Sequence, residues 1–330
     1  MTTSNCGTDE LSFNLDMQER FQWLKQNEKT RYMCPDYTNP LQYTSSTDGD
    51  WQERLQGILD KRKKVLVWLY ECGNELGIPS RVMSTAVYIF DRYLSTFVTA
   101  YVKRELAFLE HHEHLIAIAS LLIAVKSLFV YRHDIKTVVE SFGCFTKQLV
   151  KDKVEITILI ALDWNIVYSP PIAIIEDLLS VLPRPCEYDE GHEEAFVRFH
   201  ISVLHQASRL TRQAEWMGDF IIKYPPSTIA LAALSISLDQ PDVTGIPIFI
   251  LVPPCRWCEI EINKKGIYVS FDDEDVVLCR KDMHRFFPTK AINKDTAERV
   301  TGTNSPTTVA EVHKRRRTTK KRNCFAAKSA

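Results

Sequence analysis

Glycine is scarce in this chain, 11 residues in 330, and the motifs that build chemistry on glycine are missing with it. There is no glycine-rich phosphate loop and no G-x-S-x-G nucleophile turn, and the metal-hydrolase pattern H-E-x-x-H is missing too. Nothing in the sequence points to an enzyme, and no cofactor or metal is expected. Long apolar runs are also lacking. Leu115–Val125, apolar except for Ser120, is eleven residues, or about 17 Å of helix, against the ~20 residues a membrane span needs. Met1–Asp50 holds no basic stretch followed by an apolar one, so no signal peptide is expected. Nine cysteines, an odd number, suggest no disulfide framework and a reduced compartment.

Net charge is nearly absent, 41 basic against 42 acidic residues, but it is unevenly spread. Lys314, Arg315, Arg316, Arg317, Lys320, Lys321 and Arg322 leave 34 basic residues facing 42 acidic ones elsewhere, a net of about −8. An acidic body is not the footprint of a DNA-binding core. The basic run lies in a Thr-, Ser- and Asn-rich segment too polar to pack, so residues 289–330 read as a disordered tail bound by an import receptor. Nucleus and cytoplasm are the expected compartments. Ser305-Pro306 is a minimal site for proline-directed kinases, and no Arg-x-x-Leu destruction box occurs in the first fifty residues.

What is present is helical periodicity. Leu115–Val125 has no polar face, so other helices must surround it, and the lysine that closes it, Lys126, must reach water or an acceptor. Before it, Trp51–Leu76 is one helix, stopped by Gly77-Ile78-Pro79, and Val82, Ala86, Ile89, Tyr93 and Phe97 stripe the next. After it, His133–Phe142 and Thr146–Asp163 complete five. Pro171–Leu182, Glu193–Thr211 and a buried helix from Pro226 look like an eroded repeat. Thr244–Ser270, with Glu259-Ile260-Glu261-Ile262 alternating, reads as strand or irregular loop, which leaves the second set incomplete, although Asp272–Phe287 restores a last helix. The expected domains are an N-terminal extension, 1–50, with one short helix over Gln18–Lys29; a first module, 51–168; a second, 169–288; and the tail, 289–330.

Pro254-Cys255-Arg256-Trp257-Cys258 contains C-x-x-C, but only Cys279 and His284 are further ligand candidates, at irregular spacing, so ordinary thiols are the better account. His111, His112 and His114 read as solvated loop residues.

The blocks Arg62–Glu71, Ala86–Ser95, Leu115–Lys126, Lys151–Glu155 and Leu162-Asp163-Trp164, in this order and spacing, resemble the cyclin box of the A/B/D-type cell-cycle cyclins over roughly residues 51–170, with a weaker echo to about 240 that includes Pro226-Ser227-Thr228-Ile229-Ala230. The resemblance implies an all-α protein, a five-helix cyclin fold followed by a degenerate copy. It implies a non-catalytic subunit that binds and activates or targets a cyclin-dependent serine/threonine kinase in cell-cycle control. Lys126 and Glu155 match the residues by which cyclins bind backbone of the kinase's regulatory helix region. Arg62 and Asp91 match a structural ion pair inside the box. Val65, Trp68 and Glu71 match the groove that captures Arg-x-Leu peptides. There are departures: Ser127-Leu128-Phe129 stands where Phe-Glu-Glu is usual, Lys61 where a methionine is expected, and His114 where a glutamine is. A lysine repels an arginine-bearing peptide, so that docking is expected to be altered or lost. The alternative from another class is a cyclin-fold transcription or nucleic-acid adaptor.

Overall fold

The structure is a computed structural model that describes residues 6–28, 34, 36, 50–102, 113–128, 141–142, 153–166, 169–183, 193–239 and 252–287, all within one compact unit that ends at Phe287. Among them every regular element is an α-helix. The helices are α1 (Cys6–Glu28), α2 (Trp51–Leu76), α3 (Ser80–Val102), α4 (Glu113–Leu128), α5 (Val154–Ala161), α6 (Pro171–Ser180), α7 (Glu193–Met217), α8 (Asp219–Lys223), α9 (Pro226–Leu238), α10 (Pro254–Lys264) and α11 (Glu274–Phe286). No helix among the described residues is long and apolar enough to cross a membrane.

Two cores organise these helices. In the first, α4 is central, with Leu115–Val125 buried throughout and α2, α3 and α5 packed around it. Local chemistry sets the entry of α3 against α2. Gly77 takes φ 66 at the end of α2 and sends its N–H back to Asn74, and Pro79 then prevents the helix from continuing. In the second core α9 is central and buried along its whole length, starting from a proline in its first turn, where the missing N–H costs nothing. It is surrounded by α6, α7, α10 and α11. Each fully buried Leu or Ile contributes roughly 1.5–3 kcal/mol.

The N-terminal extension is part of this second core. Its helix is longer than the expected Gln18–Lys29, running Cys6–Glu28, and Met17, Phe21 and Leu24 are buried with Ile174 and Leu178. Its last residue, Glu28, is buried and accepts from the Ser227 N–H and hydroxyl, so a carboxylate from α1 caps α9 where the helix dipole favours negative charge.

The irregular reading of Thr244–Ser270 is corrected over its described part: Pro254–Lys264 is helix. Pro253-Pro254 starts it, and Trp257, Cys258 and Ile262 turn inward at helical spacing, so the Glu-Ile-Glu-Ile alternation is incidental. The helix expected over Thr146–Asp163 is described only from Lys153 onward and ends at Ala161. Of the helix expected over His133–Phe142, residues 133–140 lie outside the described residues.

Candidate functional site

Lys126 follows eleven buried positions and emerges at the end of α4. Its Nζ donates to Glu155 Oε2 at 2.5 Å, joining α4 to the first turn of α5. Both side chains remain partly in water, where such a pair contributes only about 0–1 kcal/mol. The ammonium keeps donors to spare and the carboxylate keeps lone pairs, so both can also serve an incoming backbone.

Beside this pair the surface is apolar. Of the eight residues of α5 only Ile158 is fully buried. Ile156 and Ile160, one turn apart on α5, are 49% and 60% exposed, and Trp164, just past its end, is 62% exposed. The backbone that ends α5 is strained: Asp163 and Trp164 are both left-handed, at φ 50 and 56. Trp164 N–H reaches back to Leu159 and Asp163 N–H to Ile160, a Schellman ending built without the usual glycine. A left-handed non-glycine residue costs about 1–2 kcal/mol. That strain holds a tryptophan out in solvent, an arrangement with no value to the isolated bundle. Exposed apolar side chains on and just past the helix that also carries one end of an exposed ion pair have the anatomy of a protein-docking surface.

Val65, Trp68 and Glu71, matched above to a peptide-docking groove, differ in exposure. Residues three apart step 60° around a helix, so the three span about 120°. Val65 falls in the core, Trp68 is half-buried and Glu71 is exposed. Trp68 meets the His114 ring edge-on at 4.7 Å, and Lys61 Nζ lies 3.5 Å from Glu113. Burial lowers the His114 pKa from its ordinary value.

Arg62 and Asp91 meet as a fork, Nε and Nη2 each 2.6 Å from a carboxylate oxygen, with both side chains at most 3% exposed. Arg62 also donates to the carbonyls of Glu215, at 2.8 Å, and Trp216, at 3.0 Å, in the last turn of α7. One guanidinium therefore joins α2 and α3 to the second bundle. Gly218 makes room for it: its φ is 72, and a Cβ there would lie 3.0 Å from Arg62 Nη1.

The C-x-x-C thiols are separate in environment. Cys258 and Cys279 are in the second core. Cys255 lies near Ser235 and Asp239, and burial, then Asp239, pushes its thiol up to about 12. Among the described residues no three His, Cys, Asp or Glu side chains converge as a metal site would need. His111, His112, Ser305 and the basic run from Lys314 to Arg322 lie outside the described residues.

Sequence reasoning passed over Ile156, Ile160 and Trp164. The available signal was the run Val154–Leu162, in which Glu155 and Thr157 are the only polar residues, too apolar for a single buried face. Glu215 and Gly218 carried no signal, because their partners are more than a hundred residues away.

Residues 23–167 match the family model described as the cyclin N-terminal domain. No curated protein matches the chain. Among solved structures the chain is similar to a viral cyclin from herpesvirus saimiri, at 15% identity and TM-score 0.49, covering 83% of this chain and 97% of that one. It is also similar to a chain in the structure of the CAK complex from Chaetomium thermophilum bound to ATP-gamma-S, at 12% identity and TM-score 0.41, covering 98% of this chain and 93% of that one. Both scores are too low for either likeness to bear on function.

Proposed function

From a chain whose residues 23–167 belong to the cyclin N-terminal domain family, we infer a non-catalytic regulatory subunit that binds a cyclin-dependent protein kinase and activates or targets it in cell-cycle control. The observation that carries this reading is the exposure of Ile156, Ile160 and Trp164 on and just past the helix that carries one end of the Lys126–Glu155 pair. In cyclins the lysine and glutamate at these positions hold backbone of the kinase's regulatory helix region. Here these side chains would supply the apolar area that a docked helix needs, and the ion pair would fix its register. Binding energy at that face would favour the inward setting of the kinase helix whose glutamate pairs the ATP-binding lysine. Ile158 is buried in the core beneath, and α5 packs on α4, which gives the face its support.

Affinity purification of the full chain from dividing cells, with identification of the kinase that accompanies it, tests the reading. Ile160→Asp and Trp164→Ala should each reduce kinase capture about tenfold or more while the chain stays folded. Undiminished capture by both folded variants would overturn it.

The basic tail is proposed to bind an import receptor. A fusion too large for passive entry into the nucleus should be nuclear with residues 313–330 and cytoplasmic without them. A truncated fusion that stays nuclear even when it cannot bind kinase would show that the run has no such role.

A further inference from the structure

We propose that the Glu215 carboxyl is a proton-operated latch on the joint between the two bundles, seating α7 on α2 and α3 when protonated and loosening that seat when ionised. The joint contains a buried polar seam. Arg62 of α2 holds Asp91 of α3 and the carbonyls of Glu215 and Trp216, as described above. The Glu215 side chain enters the same seam and is 2% exposed. From α2 the Tyr70 hydroxyl donates to its Oε2, and from α3 Ser84 is near enough to favour the ionised form. Its Oε1 is buried without a hydrogen-bond partner.

The charges around it do not rescue an ionised carboxylate. On α2 Arg62 is committed to Asp91, a closed pair with no net charge. On α3 Asp91 is itself negative. On its own helix Arg212 stands with its guanidinium 5.3 Å from the Tyr70 ring centre and supplies the nearby positive charge. Burial is the largest influence and, with Asp91, outweighs Ser84, Tyr70 and Arg212, raising the carboxyl from 4.5 to about 7. Because the folded value lies above the unfolded one, the folded chain holds the extra proton between those limits. The stability tied to Glu215 is full below about 4.5, declines as pH rises toward about 7, and is level beyond. A cell's own pH range falls on the upper edge of that slope.

The test is urea unfolding of the full chain at pH 5.5 and 7.5 beside Glu215→Gln, which keeps the shape and cannot ionise. The wild-type unfolding constant should rise about twentyfold more between the two pH values than the variant's. Amide protection in the last turn of α7, corrected for intrinsic exchange, should fall over the same interval in the wild type alone. Equal pH dependence of the two chains overturns the latch, as does protection of that turn that ignores pH. If the glutamine variant does not fold, carbon-13 titration of the wild-type carboxyl decides instead. A midpoint near neutrality supports the latch, and one in the ordinary carboxylate range overturns it. None of these readouts involves the kinase, so their failure leaves the proposed function untouched.

Discussion

The two bundles end on helices of opposite character. The last helix of the second, α11, is amphipathic in the ordinary way: Asp273 caps it by accepting from Asp275 N–H, Val276, Cys279 and Met283 face inward, and charged residues fill the first and last turns. The last helix of the first, α5, has no side-chain cap, begins after a left-handed lysine, Lys153, ends in two more left-handed residues, and turns two isoleucines and a tryptophan outward. By stability alone α11 is the better helix. A helix that ignores capping, accepts strain and exposes apolar side chains is shaped for something it meets rather than for the bundle it belongs to.

The comparison predicts where damage unfolds the chain and where it only silences it. The largest effect belongs to neither helix but to the joint: Arg62→Ala or Asp91→Ala should lower the unfolding free energy by about 3–5 kcal/mol in a denaturant titration, because the survivor is a buried charge without its partner. A loss under about 1 kcal/mol for both would mean that the seam opens to water. Next come the caps of the second bundle. Glu28→Ala removes the acceptor that α1 gives to α9 and should cost about 1–2 kcal/mol, with Asp273→Ala near ~1 kcal/mol, both read by thermal melting and both silent in kinase capture. On α5 the pattern reverses. Lys126→Ala with Glu155→Ala should change stability by about 1 kcal/mol at most yet abolish capture. Leu278→Asp and Phe286→Ala, both 45% exposed on α11, should leave capture intact; loss of capture there would erase the distinction between the helices. The smallest effect sharpens it most. Asp163→Gly should raise stability by about 0.5–1 kcal/mol, since glycine takes the left-handed position without strain. A fall instead would show that the aspartate is needed where it is.

Legibility followed distance along the chain. The run Leu115–Val125, apolar but for Ser120, announced a surrounded helix because it leaves no polar face, and Pro226 announced the start of another. The stripe of α3, the stop at Gly77 and the inward face of α11 were also readable, since helical spacing and turn chemistry act within a few residues. The helix over Pro254–Lys264 was missed because a short alternation of glutamate and isoleucine has the period of a strand, and only Trp257 and Ile262 facing one core reveal the helical one. Val65, Trp68 and Glu71 were matched to a groove by spacing alone; their different burial appears only once the 60° steps are accumulated and the helix is packed. Lys126 and Glu155 could be named separately. That each is the other's partner depends on how α5 lies against α4.

The sequence by itself therefore determined that the chain is helical, where its two central helices lie, and that a lysine must emerge at the end of the first, all consequences of side-chain chemistry read at short range. The tertiary structure alone decided which apolar residues are left uncovered and which polar ones are enclosed. Ile156 and Ile160 are chemically no different from Ile158, and Glu215 no different from any surface glutamate. Only the packing of α5 on α4, and of α7 on α2 and α3, assigns one isoleucine to the core, two to solvent, and a carboxyl to a seam where water cannot follow.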